Sequence, residues 1–222
     1  MNTLVVRNLS KSFGGVRAVR DLSFSVAAGE MLAMIGPNGA GKTTCFNMVN
    51  GQLPPDSGSI EMEGKSLARK APAEICRAGV GRTFQVTASF GSMSVRENVQ
   101  VAILSRERML RSAFSFLDQE SEKEAEELLA QVRMADQSKR QCAELAYGDL
   151  KRVELAVALA SRPRLLLMDE PTAGMAAAER NALMRLIANL VRDSSIAVLF
   201  TEHDMDTWSS TPTASSCCPT AN

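Results

Sequence analysis

Two stretches of this chain carry residue types whose spacing suits chemistry on phosphate. In Gly36-Pro37-Asn38-Gly39-Ala40-Gly41-Lys42-Thr43-Thr44, three glycines precede a lysine and two hydroxyls. Such glycines let backbone N–H groups close around anionic oxygens. A helix starting at Lys42 would aim its positive dipole end at the same point. The spacing G-x-x-x-x-G-K-[ST] is that of a phosphate-cradling loop, with Lys42 reaching the outer phosphates and the Thr43 hydroxyl ligating Mg2+. A plain glycine-rich turn has similar composition, and the strand before the loop and the helix after it favour the phosphate reading. The second stretch, Leu165-Leu166-Leu167-Met168-Asp169-Glu170, is an apolar strand ending in two acids. At the C-terminal edge of a parallel sheet, Asp169 can hold Mg2+ through water and Glu170 can polarise an attacking water. Taken alone, an exposed acidic turn fits as well.

Three weaker signals accompany them. His203, the single histidine, follows an apolar strand, as a phosphate-sensing group or a solvated loop histidine would. Gln85 ends Gly81-Arg82-Thr83-Phe84-Gln85, and a lone Gln is usually structural. Ala146-Tyr147-Gly148-Asp149 opens a helix whose N-terminus offers a second anion site or is simply capped.

The elements that must position these groups are readable. Leu4–Leu9 and Val16–Val26 read as strands around a Gly14-Gly15 turn, Met31–Ile35 as a buried strand, and Lys42 to about Asn50 as a helix. Ile60–Glu63, Val80–Phe84, Leu165–Met168 and Ile196–Phe200 are further strands. Helices are expected from about Gly148 to Ser161 and through Leu183, Leu186, Ile187, Leu190 and Val191. Between about 92 and 145 the pattern changes. Ala125, Leu128, Leu129 and Val132 form a helical stripe, preceded by Arg106, Arg108 and Arg111 among apolar residues. Strands alternating with helices predict an α/β fold around a mostly parallel sheet, with a helical lobe inserted at about 88–148.

Composition bounds the function. Lys+Arg and Asp+Glu each number 25, so there is no basic excess of the kind a general nucleic-acid binder shows. No apolar run reaches the ~18–20 residues that span a bilayer. The start of the chain has no apolar signal core, and five cysteines without zinc spacing suit reduced thiols.

The order of the five elements resembles that of the ATP-binding-cassette ATPases, over nearly all of residues 3–206. Gly36–Thr44 is similar to their Walker A loop, Gln85 to the Q-loop, Leu145–Asp149 to the signature loop, Leu165–Glu170 to Walker B with its catalytic glutamate, and His203 to the switch histidine. The resemblance implies a RecA-like P-loop core with an antiparallel β lobe and an inserted helical lobe, and hydrolysis of ATP with Mg2+. It implies that Phe13 stacks on adenine, that Gly36, Pro37, Asn38, Gly39, Ala40, Gly41, Lys42, Thr43 and Thr44 bind the nucleotide, and that Thr43, Gln85 and Asp169 serve the metal. Glu170, His203 and Gln85 are then the catalytic set. Ala146, Tyr147, Gly148 and Asp149 act in trans on the ATP of a second ATPase subunit, identical or not. Ser12-Phe13-Gly14-Gly15-Val16-Arg17-Ala18-Val19, Gly81–Gln85 and Ala146–Asp149 are more narrowly similar to the ATPase subunits of branched-chain amino acid importers. That similarity implies two permease subunits, a periplasmic solute-binding protein and a peripheral place on the cytoplasmic face of the membrane. Urea and amide importers look alike, so a related small polar solute is the alternative cargo. A soluble non-transport cassette ATPase and a catalytically impaired nucleotide-binding product are the other readings.

Four departures stand out. Ala146 replaces the usual signature Ser, Asp149 the usual Gln, and Ala176 an Asp or Asn. The fourth is the tail: all charged residues precede Thr207, and half of Thr207–Asn222 is Ser or Thr. We expect residues 207–222 to be an aberrant, disordered tail. A reading-frame shift after Asp206 would explain it, because skipping two bases at the Thr207 codon allows Val-Val-Phe-Val-His-Thr-Asp-Arg-Ile-Ile-Val-Leu. Such a chain is expected to aggregate and turn ATP over poorly.

Overall fold

The computed structural model describes residues 2–83, 89–106 and 119–202, together with the backbone of 214–217. Two sheets organise it. The first is antiparallel, in the order β2-β1-β4-β5, from β1 (Asn2–Phe13), β2 (Val16–Ala27), β4 (Ser57–Met62) and β5 (Lys65–Ser66). The second is parallel, in the order β6-β7-β8-β3-β9, from β3 (Met31–Ile35), β6 (Val80–Thr83), β7 (Leu165–Met168), β8 (Ala197–Glu202) and β9 (Ala214–Cys217).

Every residue of β3, β7 and β8 is buried. Their apolar runs therefore serve two cores, one on each face, as strands buried on both sides must. Met31, Ala33, Ile35, Leu166, Met168, Val198 and Phe200 pack towards the helices, while Leu32, Met34, Leu165, Leu167, Ala197 and Leu199 pack towards the antiparallel sheet. Complete burial of a side chain the size of Phe200 is worth about 3 kcal/mol.

The helices follow their apolar stripes. α1 (Lys42–Val49) buries Cys45, Phe46, Met48 and Val49 against the second core. A short α2 (Pro72–Arg77) buries only Ile75. α3 (Val95–Arg106), α4 (Gln119–Gln131) and the start of α5 (Tyr147–Ala160) lie in or beside the region expected to form the helical lobe. The Ala125, Leu128, Leu129 and Val132 stripe is buried there, as its period predicts. α6 (Ala177–Ser194) buries Leu183, Met184, Leu186, Ile187 and Val191. Arg106 is used structurally: its guanidinium donates to both Glu124 carboxylate oxygens (2.8 and 2.9 Å) and to the Ala160 carbonyl. It thereby pins the end of α3 to α4 and α5, and it holds the Glu124 carboxyl below the usual carboxylate range. Residues 107–118, with Arg108 and Arg111, lie outside the described set.

Within the stretch expected to be a disordered tail, the backbone of Ala214–Cys217 runs parallel to β3, with Met31 opposite Ala214 and Met34 opposite Cys217. The outer edge of β3 offers a row of backbone donors and acceptors, and a ladder needs a partner's backbone rather than apolar side chains. The remainder of 203–222 lies outside the described residues.

Candidate nucleotide and metal site

The parallel sheet sets the geometry. β8 lies between β3 and β7, so the loop after β3 and the acids after β7 emerge at one rim, two strand spacings or about 10 Å apart. Asp169 and Thr201 continue the β7–β8 register one step past the Met168–Phe200 pair. They fall on the face that packs against α1, because Leu165 and Leu167 on β7 and Ala197 and Leu199 on β8 face that way.

The glycine loop leads directly into α1. Gly41, its N-cap, takes φ 85°, and a Cβ there would sit 2.1 Å from the Ala18 carbonyl oxygen on β2. Only glycine fits, and the close approach holds the loop against the β1–β2 hairpin that carries Phe13. Pro37, Asn38 and Gly39 are exposed, and a Cβ on Gly39 would meet nothing within 4 Å. No side chain caps α1 and its first turn holds no acid, so its N-terminal dipole faces outward uncompensated. Lys42 is 5% exposed; its ammonium donates to the Gly36 and Pro37 carbonyls, folded over the loop it serves. Thr43 is exposed beside it. These features fit a polyphosphate: a cradle of amides, a cation and, in the first turn of α1, no carboxylate. Phe13, half exposed, offers a ring face at the hairpin end.

The acids are held from several sides. Asp169 is 6% exposed; its Oδ1 accepts from the Thr201 hydroxyl (2.8 Å), and its Oδ2 lies 3.4 Å from Arg82 Nη2. Arg82 in turn donates to Asn47 and Gln52, linking β6 to the end of α1 and the loop after it. Glu170 takes φ 47°, a left-handed conformation that costs a non-glycine residue about 1 kcal/mol. Its N–H donates to Thr201 Oγ1 (3.0 Å) and its carbonyl accepts from Ala173 N–H, which holds it there. Mg2+ prefers a few hard oxygen ligands and keeps several waters. The Thr43 hydroxyl and the Asp169 carboxylate match that donor set.

α5 starts at Tyr147 with Ala146 as an extended N-cap that makes no side-chain hydrogen bond. Tyr147 is exposed, and Asp149 lies in the first turn, accepting from Gln137 Nε2 (3.2 Å) with Arg152 3.6 Å away. Its neighbour in space is the Gly174-Met175 turn: a Cβ on Gly148 would meet Met175 at 3.5 Å. Gln85 and His203 fall outside the described residues; β6 ends at Thr83 and β8 at Glu202.

The residues missed by sequence reading are Thr201, Arg82 and the Thr172–Glu202 pair. Each acts through a partner about 30 or more positions away. Only the strand order could have flagged them.

Comparison with known proteins agrees with this architecture. The ABC transporter family model matches residues 19–173, which include the glycine loop and both acids. The branched-chain amino acid transport ATP-binding protein BraF of Pseudomonas aeruginosa is 37% identical, covering 91% of this chain and 82% of the relative. The lipopolysaccharide export ATP-binding protein LptB of Escherichia coli is 35% identical over 92% of this chain and 82% of its own length. The ADP conformation of MJ1267, an ATP-binding cassette of an ABC transporter, superposes with a TM-score of 0.82 at 30% identity, covering 93% of this chain and 83% of that one. With the glycine loop and the paired acids meeting on one rim of a parallel sheet, the chain belongs to the ABC transporter family and is one of its ATPases.

Proposed function

We propose that this chain is the ATP-binding, ATP-hydrolysing subunit of an importer of branched-chain amino acids or a related small polar solute. The observation that carries the reading is the shared rim: an acid-free helix start with a buried lysine stands on the same sheet edge as Asp169 and Glu170, with only β8 between their strands. The loop amides and Lys42 grip the phosphates, and Phe13 stacks on the base. Thr43 and Asp169, with Gln85, hold Mg2+, which when bound neutralises charge on the outer phosphates. Glu170 accepts a hydrogen bond from the attacking water and orients it towards the terminal phosphate. His203 follows β8 and reads the same phosphate.

Ala146–Asp149 of one ATPase subunit serves the nucleotide held by the other, so closing the pair completes two sites. The solute crosses through two permease subunits fed by a periplasmic binding protein, and this chain sits peripherally on the cytoplasmic face. None of its described helices is long and apolar enough to cross a membrane. The relatives support the solute class, with identities of 37% and 36% for the branched-chain amino acid transport proteins and 35% for the lipopolysaccharide exporter.

Two substitutions test the site. Lys42→Ala weakens binding of a fluorescent ATP analogue about 100-fold, as loss of charge-assisted hydrogen bonds to phosphate predicts. Unchanged affinity would overturn the reading. Glu170→Gln lowers Mg-ATP turnover about 100-fold or more while leaving analogue binding intact. Uptake of radiolabelled leucine by cells carrying the subunit with its permeases tests the solute.

A further inference from the structure

We propose that Thr201 is a positioning residue of the hydrolytic site: one buried hydroxyl sets the Asp169 carboxylate and the Glu170 backbone in a single geometry, and metal affinity depends on it. The inference rests on the roles proposed above for Asp169 and Glu170.

Thr201 is completely buried on the central strand β8. Its Oγ1 uses both of its capacities on two successive residues of the facing loop: it donates to Asp169 Oδ1 and accepts from Glu170 N–H. A hydroxyl whose proton is committed to the carboxylate presents its lone pair to the amide, so the two bonds fix one rotamer between them. The amide belongs to a residue in a left-handed conformation, the kind of backbone that persists only when its surroundings hold it. Arg82 also reaches Asp169, but at 3.4 Å and from a guanidinium shared with Asn47 and Gln52. It steadies the charge, whereas Thr201 sets the direction of the carboxylate.

The next residue repeats the arrangement in reverse. Glu202 Oε1 accepts from the Thr172 hydroxyl at 2.7 Å, with both residues buried. Successive strand residues point to opposite faces, so β8 grips the Asp169–Thr172 segment from both sides of the sheet. His203 follows immediately in sequence, so the same strand end that holds the acids precedes the expected phosphate-sensing group.

The test reads metal affinity directly. Mn2+ binding to the full chain with a non-hydrolysable ATP analogue is measured by electron paramagnetic resonance, and analogue affinity is measured separately in EDTA. Thr201→Val removes the hydroxyl at nearly constant volume. It lowers Mn2+ affinity about tenfold, as loss of an outer-shell partner does, and leaves analogue affinity in EDTA unchanged. Thr201→Ser keeps the hydroxyl and restores Mn2+ affinity. Asp169→Asn is the control: it weakens Mn2+ binding whether or not Thr201 matters.

Parent-like Mn2+ affinity in Thr201→Val beside a weakened Asp169→Asn overturns the inference alone. Equal losses in Thr201→Val and Thr201→Ser do the same, because they assign Thr201 to packing. An Asp169→Asn chain that binds Mn2+ normally removes the role of Asp169 and the inference with it. Should Thr201→Val fail to fold, Thr201→Cys against Thr201→Ser carries the test: weaker Mn2+ binding in the thiol variant supports the hydroxyl's role, and equal affinity refutes it.

Discussion

α1 and α5 begin alike and are furnished in opposite ways. Both lack a capping side chain, and both have a lysine in or near the first turn. At α1 the lysine folds over the glycine loop, onto the Gly36 and Pro37 carbonyls, and no acid stands in the first turn. At α5, Lys151 turns inward, pairs with Glu154 at 3.0 Å and lies 5.4 Å from the centre of the Tyr147 ring, while Asp149 occupies the first turn. The same backbone dipole therefore has two uses. α1 keeps its cation for an incoming anion, whereas α5 spends its own on the interior and carries a carboxylate where an anion would sit. An anion reaches α5 most readily when another body already holds it, which is what the proposed partner subunit would do.

The contrast is broken most severely by exchanging the interior lysine. Lys151→Met leaves the Glu154 carboxylate buried without its cation, and one of its oxygens, Oε1, already has no hydrogen-bond partner among the described residues. Loss of one member of a buried pair costs about 3 kcal/mol. Urea denaturation reads that loss, and the folded fraction binds the ATP analogue as the parent does. Lys42→Ala gives the reverse pattern: affinity collapses, and stability changes little beyond its two carbonyl contacts. If Lys151→Met weakens binding as Lys42→Ala does, the two helix starts are not differently used.

Gly41→Ala sharpens the comparison from the backbone side. The added Cβ must displace the Ala18 carbonyl and accept a left-handed conformation, at about 2 kcal/mol of stability. Thermal unfolding measures that cost, and analogue affinity falls with it, because the loop loses its support on β2. Ala146, at the equivalent position of α5, is extended at φ −64° and ψ 153°, so a side chain there carries no left-handed backbone strain.

What the sequence revealed of this arrangement follows the range of the interactions. β3 and β7 are readable to the residue, because strands buried on both faces are unbroken apolar runs bounded by turns. The α1 cradle is equally local, since its glycines and lysine lie within nine positions. α3 lies within the expected helical lobe but had no bounds of its own, because buried Asn98 and Gln100 interrupt its apolar stripe; Asn98 hydrogen-bonds the Phe90 and Ser94 carbonyls. α2 is a single short turn. The ties from Thr201 and Arg82 to Asp169 depend on β6, β7 and β8 being neighbours, which no local pattern encodes. The Ser-rich β9 was unreadable for a related reason: its partner edge, not its composition, makes it a strand.

The smallest effect separates the two helix starts most finely. Ala146 is the N-cap of α5, and a serine there can accept a hydrogen bond from a first-turn N–H. Ala146→Ser therefore stabilises the isolated chain by about 1 kcal/mol, a shift that chemical denaturation resolves. The gain in cis uses a donor that would otherwise face the partner's nucleotide, while the new hydroxyl can itself donate to a phosphate. Capping and phosphate binding thus compete for one side chain, and stability measured with and without a dimer-trapping ATP analogue shows which prevails. A serine variant no more stable than the parent would mean that the α5 start is already satisfied within its own chain, and that α5, unlike α1, has no unfilled place for an anion.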